Sequence, residues 1–299
     1  MAMHETANGR HDPHESSNFN PLIYYCVYGD HSYYDCLCIS LASLQEFGNF
    51  HGTLGIACDR RPDQIMDCIP DRLRTNLIFS AASAERSWFN RYYLEHGLYD
   101  AYQPILYCDV DVVFDADVTN MLIDILLRPK VCCATENASI PGLADKPTRL
   151  WTENVSNYFG RDLYEGDPDF QDVRVALGNS GIIGVDNLAR LQAVSLLVKE
   201  IAASRSAEQL QVFTDQPILD YVLHKTGEGD FTLLDRYCRL THDLQSLPIA
   251  TRRGLAHFHP PAPASAKLPI MKAYLDALAR DRDAGPKRAG GWDVVDTGL

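Results

Sequence analysis

Between residues 22 and 280, short apolar runs alternate with stretches of helical periodicity, and this alternation leaves few folds open. Residues 22–28 are apolar or aromatic without a break, the pattern of a strand buried on both faces. Leu37, Leu41, Leu44 and Phe47 follow at helical spacing within 32–47. Further strands are expected at 52–58, 76–79, 105–108 and 131–134. Helices are expected at 63–68, at 83–96 with Gly97 as C-cap, and at 117–127. Strands that alternate with helices imply a mostly parallel sheet covered on its faces by helices.

The segment 138–172 differs. It is rich in Pro, Gly, Asp and aromatic residues, and we read it as an inserted, acceptor-facing segment with a helix near 149–159. Regular structure is expected again as strands at 173–177, 182–185 and 231–234, and as helices at 187–203, 215–224 and 268–280. Residues 1–20 and 281–299 read as flexible tails. The expected architecture is therefore one α/β domain over 21–280, with a mostly parallel central sheet flanked by helices.

Composition excludes several function classes. The 299 residues carry 27 Lys and Arg against 40 Asp and Glu, a formal charge of −13. A chain so acidic lacks the basic face that a general nucleic-acid binder needs. Hydrophobic residues make up 46%, enough for a real core. No apolar run approaches the ~18 residues of a membrane span, and the polar first 20 residues do not resemble a secretory signal. The nine cysteines, several inside apolar runs, read as small hydrophobes in a reduced, cytoplasmic protein. Cys36-x-Cys38 and Cys132-Cys133 lack the spacing of a structural zinc site.

Chemistry concentrates where the strand 105–108 ends. Asp109 and Asp111 follow it directly, and Val112, Val113 and Phe114 come next. Ligands of open α/β sheets bind at the carboxyl ends of strands. Two carboxylates one residue apart can meet a hard cation such as Mg²⁺ or Mn²⁺ if the backbone turns there. Solvated aspartates at a surface strand end would give the same tripeptide, but two carboxylates between apolar strands are costly without a compensating cation.

Arg91 followed by residues 104–114 resembles the core of the family 8 glycosyltransferases of the A-type fold. Four more segments resemble that family in the same order: 25–33, its first strand and nucleotide-contacting turn; 179–185, its asparagine–small–glycine strand; 214–219, its aspartate–glutamine helix start; and 255–258, its late histidine–aromatic segment. The resemblance covers about 21–275 and implies a metal-dependent hexosyltransferase that uses a UDP-sugar and retains anomeric configuration. It implies Asp109, Asp111 and His257 as ligands of Mn²⁺ or Mg²⁺, with His259 a competitor for the third place. Arg91 would meet the diphosphate and sugar, with Arg86 an alternative. Asn179, Ser180 and Gly181 would line the sugar pocket. Asp215 would meet a sugar hydroxyl and Gln216 would lie beneath the anomeric carbon. Tyr28 and Asp30 would contact the nucleotide. Glu136 or Asn137 occupies the place of a sugar-binding acid. The family's diphosphate lysine has its counterpart in Lys267, although 257–263 lacks the family's glycine-containing turn.

Each residue also has a plainer reading. His257 fits a core histidine beside Phe258, Arg91 a surface arginine, 178–181 a turn, and Thr214 or Asp215 a helix cap. Two rival functions remain. One is a haloacid-dehalogenase-like phosphatase with Asp109 as nucleophile, although its nucleophile strand normally opens the domain. The other is a non-catalytic nucleotide-sugar-binding scaffold.

Overall fold

The structure, a computed structural model, describes residues 19–94, 97–136, 163–164, 166–170, 176–241, 247–259 and 263–284. Among these, ten strands form two sheets. The larger sheet has the order β3-β2-β1-β4-β7-β6-β8, built from β1 (Leu22–Val27), β2 (Thr53–Cys58), β3 (Leu77–Ala81), β4 (Ile105–Cys108), β6 (Val131–Thr135), β7 (Gly178–Val185) and β8 (Gly229–Asp230). It is parallel except at β7, which runs antiparallel to both β4 and β6. The smaller sheet contains β5 (Val112–Phe114), β10 (Leu255–Phe258) and β9 (Cys238–Thr241), in that order. The expected α/β architecture is what the chain adopts.

The helices are α1 (His31–Glu46), α2 (Thr119–Leu126), α3 (Leu188–Ala203), α4 (Ala207–Phe213), α5 (Gln216–Thr226) and α6 (Ala264–Asp283). The continuous apolar run of β1 is explained by its place: successive side chains point to opposite faces, and both faces are covered. Ile23, Tyr25 and Val27 enter the core that includes Leu37 and Leu41 of α1 and Met271 of α6. Leu22 and Tyr24 enter the core that includes Leu191 of α3 and Leu219 of α5.

Several elements depart from the pattern read in the sequence. The segment 63–68 is two 3₁₀ turns, Pro62–Gln64 and Met66–Cys68, rather than one helix. The segment 83–96 is a 3₁₀ stretch, Ala84–Tyr92, interrupted at Ser87 (φ 44°, ψ −132°); it ends at Tyr92, so Gly97 does not cap it. Residues 178–181 are not a turn but the start of β7. The strand expected at 231–234 is replaced by β8, because the Asp230 carboxylate accepts the backbone N–H groups of Thr232 and Leu233 and turns the chain. β9 was not foreseen. α6 continues three residues past 280. Residues 173–175 and 149–159 lie outside the described residues, as does most of 138–172. Cys38 on α1 forms a disulfide with Cys68, which corrects the reading of nine reduced thiols; the 3₁₀ turn lies against α1 and brings the two Cα atoms to 4.8 Å. No described helix is long and apolar enough to cross a membrane.

The smaller sheet positions the site. His257 pairs with Val112, and the Phe258 N–H donates to the Asp111 carbonyl at 3.0 Å. A slip of one residue between β5 and β10 would turn His257 to the opposite face.

Candidate active site

Asp109 follows β4 and Asp111 precedes β5. Between them the chain turns, with the Val112 N–H on the Asp109 carbonyl at 3.3 Å and the Asp109 N–H on the Gly181 carbonyl at 2.7 Å. The turn does what an extended strand could not: it aims both carboxylates at one point. Their oxygens and a His257 ring nitrogen all lie within 4.8 Å of one another.

Side chains from elsewhere in the chain meet these carboxylates. Lys267 Nζ lies 2.5 Å from Asp111 Oδ2, and His257 Nε2 lies 3.1 Å from Asp111 Oδ1. Burial pushes the Asp111 carboxyl up, but Lys267 and His257 overcome it and hold the group well below the usual carboxylate range. Arg91 is buried. Its Nη2 lies 3.2 Å from Asp109, its Nε 3.4 Å from Asp215, and its Nη1 donates to the Ser180 carbonyl. The Tyr107 hydroxyl donates to Asp109, and the Tyr92 hydroxyl donates to Asp215 at 2.9 Å. Burial raises the Asp215 carboxyl, with Arg91 opposing the rise. Burial alone would lower the Arg91 guanidinium, yet Asp109 and Asp215 carry it well above its ordinary value.

These groups face one cavity of about 650 Å³. Tyr28, Ser180, Gly181, Asp215, Gln216 and His259 line it, together with the cluster just described. Gly181 is required there: a Cβ would stand 2.4 Å from His257 Cε1 and 2.7 Å from Asp109 Oδ2. Two non-glycine residues of the lining, Ser87 and Thr214, hold positive φ angles of 44° and 50°. Such conformations cost about 1–3 kcal/mol each and persist where the surrounding structure enforces them.

The structure brings together Arg91, Asp109, Asp111, Ser180, Gly181, Asp215, Gln216, His257 and Lys267, with Tyr28 on the wall. Asn179 and Glu136 lie just beneath, bonded to each other. Asp30 is exposed and outside the cavity lining, and its carboxylate caps α1 by accepting from Ser32. Arg86 stacks on Tyr93 instead of entering the cavity. Asn137 lies outside the described residues. Asp215 stands at the N-cap of α5, but its side chain does not cap; it faces Arg91 and Tyr92. Sequence reasoning missed Tyr92 and Tyr107. Tyr107 had a signal, since in a strand residues two apart share a face and it stands two before Asp109.

No protein-family model matches the chain, and no curated protein matches it significantly. Solved structures do. The galactosyltransferase LgtC, in complex with donor and acceptor sugar analogues, superposes with a TM-score of 0.51 at 12% identity, over 84% of this chain and 95% of that one. The chain has the glycosyltransferase A-type fold. GlyE from Streptococcus pneumoniae TIGR4 gives a TM-score of 0.53 at 11% identity, over 89% of this chain and 64% of GlyE. The bifunctional glycosyltransferase WbbM gives 0.53 at 13%, over 93% of this chain and 54% of WbbM. The resemblance drawn from the five segments is thus borne out at the level of fold.

Proposed function

We propose that this protein is a metal-dependent hexosyltransferase that takes a UDP-sugar and passes the sugar to an acceptor hydroxyl with retention of configuration. The observation that carries this reading is the Asp109–Asp111–His257 cluster, which opens on the same cavity as Arg91, Asp215 and Gln216. LgtC, which shares the fold, is a galactosyltransferase captured with donor and acceptor sugar analogues.

The donor set suits a divalent ion. Two carboxylates supply hard oxygen ligands, an imidazole favours Mn²⁺ over Mg²⁺, and the buried His257 Nδ1 has no hydrogen-bond partner. Asp109, Asp111 and His257 would hold the ion, which neutralises a bound diphosphate and eases its departure. The chain's own residues do the rest. Lys267 and Arg91 flank the carboxylates and would offer their N–H groups to the phosphate oxygens of a bound donor. Asp215 and Asn179 offer hydrogen bonds to sugar hydroxyls. Gln216 presents an amide beneath the anomeric carbon. An amide oxygen is a weak nucleophile, so we favour same-face attack by the acceptor through an ion-pair-like transition state.

The test is UDP release from a panel of UDP-sugars, with Mn²⁺ and with a chelator, for the wild type and Asp111→Asn. Metal-dependent release of one donor, lost in the variant, is the expected result. Metal-dependent phosphate release from a phosphomonoester, with no UDP release, would overturn the reading in favour of the phosphatase. Donor binding without turnover would leave the scaffold.

A further inference from the structure

Beneath the floor of the cavity, one carboxylate oxygen receives three nitrogens. Glu136 follows β6, is 1% exposed and is not part of the cavity lining, whereas Gln216 above it is. Glu136 Oε1 accepts from Asn179 Nδ2 at 2.8 Å and from Gln216 Nε2 at 3.0 Å, and His259 Nε2 stands 3.2 Å from it. A carboxylate can accept only from the nitrogen end of a side-chain amide. A single oxygen therefore sets the sense of both amides. Their oxygens turn to the backbone of β7: Asn179 Oδ1 accepts from the Gly181 N–H at 2.9 Å, and Gln216 Oε1 from the Ser180 N–H at 3.4 Å. Burial raises the Glu136 carboxyl, and the two amide hydrogen bonds oppose the rise.

We infer that Glu136 is a positioning residue: it holds the Gln216 NH₂ group away from the cavity, so that the amide oxygen, which gives one lone pair to the Ser180 N–H, keeps the other for the reacting carbon. The inference rests on the transferase reading and deepens it. It also departs from the role that the family resemblance implies for an acid at this place, which is direct contact with the donor sugar. The physical reason is electrostatic. Positive charge develops at the anomeric carbon as the diphosphate leaves, and a fixed oxygen dipole stabilises that charge while a flipped amide would oppose it. Charge exists there only in the transition state, so a correctly oriented amide acts on turnover rather than on donor binding. His259, the residue after β10, reinforces the arrangement and links Glu136 to the strand that carries His257.

The experiment follows UDP release from whichever of UDP-glucose, UDP-galactose and UDP-N-acetylglucosamine the wild type hydrolyses with Mn²⁺, alongside Kd for that donor. Glu136→Gln can present either end of its own amide, so Gln216 loses its fixed sense. We expect kcat to fall 10- to 100-fold with donor Kd changed less than about threefold. Gln216→Glu places two carboxylates against each other and is expected to be similarly slow. The double variant Glu136→Gln/Gln216→Glu restores a donor facing an acceptor, and its kcat is expected to exceed that of either single variant. This exchange also serves where one single variant fails to fold. A Glu136→Gln variant that keeps its kcat, one that weakens donor Kd more than tenfold as a sugar ligand would, or a double variant slower than both singles would overturn the inference. A wild type that hydrolyses none of the three nucleotide sugars would instead remove the transferase reading on which the inference stands.

Discussion

Asp111 and Asp115 stand at the two ends of β5, and both reach α6, yet they belong to different kinds of cluster. Asp115 is closed in. It accepts from the backbone N–H groups of Gly254 and Arg253, from the Tyr274 hydroxyl and from Arg239, and it is almost wholly buried. Asp111 meets Lys267, two turns before Tyr274 on the same helix, but its carboxylate opens on the cavity. Both are buried acids paired with a cation. A network whose acceptors are filled by the chain itself leaves no valence for a ligand, so it locks the second sheet against α6. A pair that faces a cavity can exchange its partner. Burial and charge alone would not separate the two.

Substitution should separate them, beginning with the largest effect. Asp111→Asn is expected to lower metal-dependent UDP release about a thousandfold, the equivalent of roughly 4 kcal/mol of transition-state stabilisation. Its thermal midpoint should move little, because Lys267 can carry its ammonium into the cavity. A large stability loss with activity per folded molecule intact would break the comparison. Asp115→Asn should do the reverse. Breaking a buried pair costs about 3–5 kcal/mol, so the urea midpoint should fall sharply while the folded fraction keeps its turnover; an unchanged midpoint would contradict this account. Gly181→Ala comes next, because the added methyl group must displace His257 or Asp109. We expect a weaker apparent affinity for Mn²⁺, at a stability cost of about 1–3 kcal/mol, read by metal titration of UDP release.

The smallest effect concerns Asp220, a buried acid of a third kind. Its Oδ1 accepts from the Gly178 N–H at 3.0 Å, its Oδ2 has no hydrogen-bond partner, and burial, with Glu136 and Asp215 adding, raises its carboxyl well above the ordinary carboxylate range. A raised carboxyl favours the folded state below the unfolded pKa, and that contribution is lost as pH rises through the folded value. Asp220→Asn should therefore gain stability relative to the wild type as pH increases, by on the order of 1 kcal/mol. Thermal melts of both proteins at pH 5 and pH 8 would show it. A midpoint difference, variant minus wild type, that falls towards pH 8 would count against the assignment. Asp111, held low, has the opposite sign: its contribution is present above the unfolded value and fades on acidification.

Most of the larger sheet could be read from the chain, because β1, β2, β4 and β6 are buried on both faces and are built almost wholly from apolar residues. β7 was half hidden. Gly178, Asn179, Ser180 and Gly181 carry turn chemistry, and only the bonds of Asn179 and Ser180 to Glu136, Gln216 and Arg91 show why a strand uses such residues. β9 was hidden altogether, since Arg239 in its middle looks like a surface residue until Asp115 and Tyr274 are placed beside it. Ser87 defeated the helix reading because a positive φ at a non-glycine residue has no local signature.

By itself, the sequence determined the alternating architecture and the types of group the site would contain: paired carboxylates, an imidazole, an arginine, an asparagine and a glutamine. Periodicity and residue chemistry are local properties, and a linear chain records them. The tertiary structure alone decided which groups meet. Arg91 joins Asp109 to Asp215, Lys267 crosses 156 residues to Asp111, and Glu136 sets the sense of Gln216 from 80 residues away. Those choices depend on sheet order, on the β5–β10 register and on burial, which turn weak polar contacts into fixed ones. None of these is a property of any short stretch of chain.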